Sequence, residues 1–289
     1  MPHPELPKDI AKVVAYALAE DIGRGDVTAD LLPRESRAVA TVIAREDAVL
    51  CGTAWFGEVF AQLDSRIAIA WFAGDGMTIE PDMELCRLEG PARPLLSGER
   101  TALNFLQMLS GTATTARRYA DAVAGTGCRI LDTRKTVPGL RAAQKYAVAC
   151  GGATNHRQGL YDAILIKENH IIAAGGISAA LRAARDAHPD LSVEIEVESA
   201  AELEAALAGG ADIVLLDNFG PDALRDAVRR TRARPDCTTR LEASGDVRLD
   251  NVREIGATGV DFVSVGRLTK HVRAIDLSMR FRLDEAAGA

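Results

Sequence analysis

From residue 129 onward the chain repeats one pattern: a short, largely apolar run, a polar residue at its end, then an alanine-rich helical stretch. RILDT, DAILIK, VEIEV, DIVLLDN, TTRLEAS and VDFVSVG are six such runs. Strands this apolar are buried on both faces, and strands that alternate with helices pair in parallel, so the repeat restricts the fold to an α/β architecture. Their number and spacing favour a closed or nearly closed barrel over an open sheet. GGATNHR, at 151–157, is a candidate for one more strand, weakened by its glycines.

The first part of the chain reads differently. Residues 7–20 carry Ile10, Val13, Val14, Ala17 and Leu18 at helical spacing, closed by the glycines of DIGRGD. Short β-like runs follow at 38–45, 48–52, 67–73 and 84–90, which makes an α+β module. Ser97 is a candidate cap for a helix through GERTALNFLQML, and Ser110-Gly111 is expected to interrupt it before a second helix runs to about residue 124. Near the end, Ile275, Leu277, Met279 and Phe281 alternate with Asp276, Ser278, Arg280 and Arg282, the period of a half-buried strand. That strand is expected to return to the first module. The organisation is then an N-terminal α+β module of residues 1–110 with 271–289, and a barrel of 111–270.

Several function classes fall away. The formal net charge of −7 argues against a nucleic-acid or acidic-membrane surface. No apolar run reaches the roughly 18 to 20 residues of a membrane span. MPHPELPKDI lacks the basic and apolar regions of a signal peptide, so a cytoplasmic protein is expected. The five cysteines form no CxxC and the five histidines no HExxH, so reduced, buried thiols are expected rather than disulfides or a zinc site.

Against this acidic background, residues 129–170 hold seven cations (Arg129, Arg134, Lys135, Arg141, Lys145, Arg157 and Lys167) and three acids (Asp132, Asp162 and Glu168). A focused cleft for a small polyanion fits that inversion, although any single cation of the run is equally at home on a solvated helix face. Barrels place their chemistry at the C-terminal strand ends, and here those ends carry Thr133, Arg134 and Lys135; Lys167; Glu196; Asp217; Ser244 and Gly245; and Gly266. The turns Ala243-Ser244-Gly245 and Ser264-Val265-Gly266 follow the last two strands, where backbone N–H groups commonly receive a phosphate. Glu196 and Asp217 suit sugar hydroxyls or a magnesium ion; a glycosidase carboxylate pair is the rival reading. Arg100, Arg134 and Arg157 suit bidentate grip on a carboxylate, and Lys135 and Lys167 suit pyrophosphate. A Schiff-base role for Lys167 stays open at this point.

ERTALNFLQMLSGTAT, DTRKTVPGLRAAQKYA, GGATNHRQGLYDAILIKENH, EIEVES, IVLLDNF and LEASG, in this order and spacing, closely resemble the quinolinate phosphoribosyltransferase family, and the likeness extends to EDIGRGDVT near the N-terminus. The resemblance implies the type II phosphoribosyltransferase fold, an N-terminal α/β sandwich joined to an incomplete, seven-stranded α/β barrel, assembled as a homodimer or larger. It implies transfer of phosphoribose from phosphoribosyl pyrophosphate to quinolinate with decarboxylation, assisted by Mg²⁺. By position, Arg134, His156, Arg157 and Lys167 would hold the quinolinate carboxylates, with Arg100 reaching in from the neighbouring subunit. Lys135 and Lys167 would meet pyrophosphate, Glu196 and Asp217 the ribose hydroxyls and the metal, and Ser244, Gly245 and Gly266 the 5-phosphate, with Lys270 or His271 nearby. Two departures stand out: Asp246 where many relatives have glycine, and Thr112 where isoleucine is common.

Overall fold

The alternating run at the end of the chain does pair with the first module. In the computed structural model, which describes residues 4–283, the chain runs α1 (Ile10–Ile22), β1 (Arg37–Ala44), β2 (Ala48–Val49), α2 (Thr53–Leu63), β3 (Ala68–Trp71), β4 (Thr78–Ile79), β5 (Glu84–Pro91) and α3 (Ala92–Ala122). The α/β repeat follows as β6 (Arg129–Leu131), α4 (Arg141–Cys150), β7 (Ile164–Ile166), α5 (Glu168–Ala174), α6 (Ile177–Ala187), β8 (Val193–Val197) and α7 (Ala200–Ala208). It continues through β9 (Ile213–Asp217), α8 (Pro221–Arg232), β10 (Arg240–Ser244), α9 (Val252–Gly256), β11 (Phe262–Ser264) and α10 (Arg267–Lys270), and the chain closes with β12 (Leu277–Leu283).

Two compact units result. The first comprises residues up to 117 together with 136–152 and 269 onward; the second comprises 118–135 and 153–268. This division differs from the one read off the sequence chiefly at α4, which sits inside the α/β repeat by order yet joins the first unit. The reason is packing. Ala143, Tyr146, Ala147 and Cys150 of α4 are buried in the same core as Trp55, Phe56 and Phe60, with the Trp55 and Tyr146 rings 5.4 Å apart.

The first unit is built on an antiparallel sheet of order β12-β1-β5-β3, in which Val42 of β1 faces Met279 on one side and Cys86 on the other. Alternation drives this pairing: Ala38, Ala40 and Val42 are buried while their neighbours along β1 are less so. Asp75 starts α2 by accepting from Gly52 N–H and Thr53 N–H at 3.0 and 3.1 Å, and its other oxygen accepts from the Tyr146 hydroxyl at 2.9 Å. The helix of residues 53–63, TAWFGEVFAQL, is missing from the reading by sequence pattern, because its aromatic cluster resembles a buried strand.

Two expectations are corrected here. Ser97 caps nothing, because α3 already begins at Ala92; its hydroxyl donates to Asp26 and to the Arg93 carbonyl. Nor does Ser110-Gly111 break the helix. Ser110 accepts from Cys51 N–H at 2.9 Å and donates to the Cys51 carbonyl at 3.1 Å, tying α3 to the loop before α2. At Gly111 the chain around Arg273 passes so close that a Cβ would stand 2.0 Å from its carbonyl oxygen. Glycine is there for close approach, and the helix tolerates its propensity penalty of about 1 kcal/mol.

The second unit holds a fully parallel sheet of order β6-β11-β10-β9-β8-β7. All six strands read from the sequence are present, and the GGATNHR segment contributes a single parallel bridge from Thr154 to Leu131 rather than a strand. The fold is the incomplete α/β barrel. Along the strands, Val193, Ile195, Val197, Val214, Leu216, Leu241 and Val263 are buried on one parity, and Glu194, Glu196, Leu215, Asp217, Glu242 and Ser244 fall on the other. Four of the cysteines are buried and all five are free, as their spacing led us to expect.

Gly111→Ala is expected to destabilise the protein by about 2 kcal/mol or more, against the usual helix gain of about 1 kcal/mol for that exchange. Thermal unfolding checks this, and a raised melting temperature would show that the close approach relaxes freely.

Candidate active site

A cavity opens at the C-terminal ends of the parallel strands, lined by Asp132, Thr133, Arg134, Lys135, His156, Arg157, Leu165, Lys167, Glu196, Leu215, Glu242, Ser244 and Ser264. Strand parity builds it: Leu165, Glu196, Leu215, Glu242, Ser244 and Ser264 are the inward positions of β7 to β11. The loop after β6 adds Thr133 to Lys135, and the residues after the Thr154 bridge add His156 and Arg157.

At its floor lies the buried carboxylate of Glu242, 1% exposed, and behind the cavity wall, not lining it, a second one, Glu194, 3% exposed. His156 Nε2 is 2.7 Å from Glu194 Oε2 and 3.8 Å from Glu242 Oε2. Burial, reinforced by the Glu194 charge beside it, pushes the Glu242 carboxyl well above the usual carboxylate range. The fold therefore favours the protonated form of Glu242. His156 is fixed from three sides: its backbone N–H donates to Asp132 Oδ1 at 2.8 Å, its Nδ1 accepts from Arg157 N–H at 2.7 Å, and its Nε2 meets Glu194.

The ligand atoms of His156, Glu194 and Glu242 lie within 4.8 Å of one another, close enough to hold a metal ion. The histidine decides otherwise. An Nδ1 that accepts a hydrogen bond keeps its lone pair, so the hydrogen sits on Nε2, which then has no lone pair for an ion. Glu196 and Asp217, on neighbouring strands, are the better candidates for a hard divalent cation. Glu196 is ion-paired with the Lys167 ammonium, and Asp217 accepts from the Asn218 amide at 2.8 Å.

Above the floor stand the cations. Arg134 Nε is buried with no hydrogen-bond partner, and the guanidinium of Arg157 has one long contact, 3.4 Å, to the Ala163 carbonyl. Burial, and then the charge of Arg134, pull the Arg157 guanidinium below its ordinary value, with Glu194 and Asp162 acting in the opposite sense. Two guanidinium groups thus oppose each other beside an unsatisfied donor, an arrangement that a carboxylate relieves. The Lys167 pairing with Glu196 is the opposite of the apolar setting an amine nucleophile needs, which disfavours the Schiff-base reading.

Nine sequence candidates line this cavity: Thr133, Arg134, Lys135, His156, Arg157, Lys167, Glu196, Ser244 and Ser264. Gly266 adjoins it, since a Cβ there would stand 3.0 Å from the Lys135 side chain. Asp217 pairs in register with Ser244 on the inward parity of β9. Gly245 has a φ of +104°, and a Cβ on it would overlap Asn218. Ala243 and Val265 are on the outward parity, buried, and the Val265 N–H is already given to the Leu131 carbonyl, so neither lines the cavity. Arg100, Lys270 and His271 are exposed residues of the first unit. Of the cation-rich run, Arg141 and the wholly buried Lys145 also belong to the first unit, and Arg129 stacks on Phe262 at the far end of β6. Asp132, Glu194 and Glu242 escaped the reading of the sequence. The signal was there in VEIEV and RLEAS, where a glutamate stands two positions before a candidate, on the same face of an apolar strand.

A parallel-sheet barrel with a cationic, carboxylate-floored cavity at its strand ends defines a class of enzyme that handles small polyanions. The chain belongs to the quinolinate phosphoribosyl transferase family: the model of that family's N-terminal domain matches residues 26–110, and that of its C-terminal domain residues 112–280. Over 271 residues it is 39% identical to a probable carboxylating nicotinate-nucleotide pyrophosphorylase of Bacillus subtilis, covering 93% of this chain and 92% of that one. The corresponding protein of Mycobacterium leprae is 41% identical over 272 residues, 92% and 95% of the two chains. Among solved structures, the nicotinate-nucleotide pyrophosphorylase of Francisella tularensis superposes with a TM-score of 0.92 at 45% identity, over 96% of this chain and 98% of that one. No helix among the described residues is long and apolar enough to cross a membrane.

Because the Glu242 carboxyl is raised in the fold above its unfolded value near about 4.3, the stability tied to its proton is present below that pH and is lost as pH rises through the folded value. Glu242→Gln, an uncharged isostere, lacks this slope. Its unfolding free energy in urea is expected to gain on the wild type as pH rises above about 4.3; parallel profiles would mean that the fold does not raise the Glu242 carboxyl.

Proposed function

We propose that this chain transfers the phosphoribosyl group of phosphoribosyl pyrophosphate to quinolinate and releases carbon dioxide, giving nicotinate mononucleotide and pyrophosphate for NAD synthesis. The observation that carries the reading is the opposed pair Arg134 and Arg157, with the buried, unpartnered Arg134 Nε between strand ends that also present two lysines. A dicarboxylate next to a pyrophosphate matches this distribution of charge. The likeness to the Bacillus and Mycobacterium carboxylating nicotinate-nucleotide pyrophosphorylases supports it.

The chemistry follows from positioning and electrostatics. The quinolinate nitrogen donates its lone pair to C1 of the ribose as the bond from C1 to pyrophosphate oxygen breaks, and the ring nitrogen becomes cationic. The bond to the 2-carboxylate then breaks; carbon dioxide leaves, the cationic ring takes the electron pair, and C2 gains a proton. Arg134, Arg157 and Lys167 hold the carboxylates, Lys135 and Lys167 meet the pyrophosphate, and Ser244, Gly245, Ser264 and Gly266 receive the 5-phosphate. Glu196 and Asp217 accept from the ribose hydroxyls and stabilise the cationic sugar. The same two carboxylates would hold Mg²⁺, directly or through water, and bound Mg²⁺ offsets the charge that develops on pyrophosphate. We further propose a cytoplasmic homodimer, or larger assembly, in which Arg100 serves the site of the neighbouring subunit. Equilibrium sedimentation and the loss of activity in Arg100→Ala test that arrangement.

Incubation with phosphoribosyl pyrophosphate, Mg²⁺ and either quinolinate or nicotinate, followed by chromatography and mass, is expected to give nicotinate mononucleotide from quinolinate alone. Product from nicotinate alone would overturn the acid specificity. Arg157→Ala is expected to raise the quinolinate KM about tenfold or more and the phosphoribosyl pyrophosphate KM far less; equal losses would remove its assigned role.

Asp246 has a φ of +35° and engages Arg267 and Arg248 at 3.5 and 3.4 Å, directly after the proposed phosphate turn. Asp246→Gly removes a negative charge and a strained backbone together. It is expected to lower the phosphoribosyl pyrophosphate KM about two- to threefold at low salt, with the gain shrinking as salt rises; an increased KM would show that the carboxylate helps to shape the loop.

A further inference from the structure

The resemblance implied that His156 grips a substrate carboxylate directly, but its hydrogen bonds leave it no ring donor for that purpose. Nδ1 accepts from Arg157 N–H at 2.7 Å, so the ring hydrogen is on Nε2, and Nε2 lies 2.7 Å from Glu194 Oε2. Glu194 itself is 3% exposed and does not line the cavity, so it cannot touch a ligand there. What the histidine does reach is the backbone of the next residue, Arg157, whose side chain has a single long bond of 3.4 Å to hold it. The direction of that guanidinium is therefore set from its backbone, and its backbone is set by His156.

We propose that Glu194 and His156 are positioning residues for Arg157: the buried carboxylate fixes the imidazole as its Nε2–H tautomer, and the imidazole fixes the Arg157 amide so that the guanidinium points into the cavity. Asp132, which accepts from His156 N–H at 2.8 Å, anchors the same residue from its other side. The relay resembles the outer carboxylates that orient metal-bound histidines, with an arginine in place of the ion. The proposal rests on quinolinate being the substrate whose carboxylate Arg157 receives.

The test has a spectroscopic arm and a kinetic arm. In protein labelled with ¹⁵N at histidine only, and with the signal assigned by its loss in His156→Asn, the His156 ring is expected to be neutral, protonated at Nε2, and to stay so at saturating quinolinate without phosphoribosyl pyrophosphate. A ring that gains a second proton or changes tautomer on saturation would be a direct carboxylate ligand, and the proposal would fall. In steady-state assays Glu194→Leu is expected to raise the quinolinate KM about tenfold with the phosphoribosyl pyrophosphate KM little moved, and Glu194→Gln, which keeps an acceptor for Nε2–H, to recover most of that loss. A Glu194→Gln as impaired as Glu194→Leu, or equal losses for both substrates, overturns the relay. Wild-type protein that turns over nicotinate and not quinolinate defeats the functional reading, and the relay with it; wild-type protein that turns over quinolinate while His156 switches tautomer defeats the relay alone.

Discussion

Burial of a parallel sheet on both faces governs the rest of this protein. A strand flanked by helices on one side and by barrel interior on the other can place charge near water only where it ends, so the polar residues of β7 to β11 gather at one mouth without any further instruction. Glu194 and Glu242 are the exceptions, two inward carboxylates set one layer below the mouth. Their low-dielectric setting is eased because burial shifts the Glu242 carboxyl toward its neutral form and Glu194 receives the His156 N–H.

The same constraint explains why the cavity is cationic and under-satisfied. Arg134 and Arg157 follow the β6 end and the Thr154 bridge, which lie side by side in the sheet, so their guanidinium groups are brought near each other by backbone pairing. Mutual repulsion and partial desolvation make that arrangement unfavourable in the free protein. On the proposed function, a substrate carboxylate between the two guanidinium groups would return the stability given up in this way.

Much of this was legible in advance. Six strand runs in 129–266 announced the parallel sheet, and the alternation of Ile275, Leu277, Met279 and Phe281 announced the strand that pairs with β1 in the first unit. Six cavity residues, Thr133, Arg134, Lys135, Lys167, Glu196 and Ser244, could be read from strand ends, Ser264 from the turn after the last strand and Arg157 from the cation-rich run, whereas His156 came only with the family resemblance. The reading failed where tertiary contact overrides local pattern: Ser110-Gly111 looks like a break, and becomes a docking point because a hydroxyl and a missing Cβ each meet another segment. Lys145 looks like a pocket cation, and is wholly buried in a helix of the first unit.

The sequence by itself determined the secondary structure of the repeat, the face of each strand and the excess of positive charge that the site would carry, because periodicity and composition are local properties of a chain. Only the tertiary structure decided which cations converge, that burial raises the Glu242 carboxyl, and that both nitrogens of His156 are engaged. Those facts depend on distances between residues far apart in the chain and on the loss of water around them. Neither quantity exists until the sheet has formed.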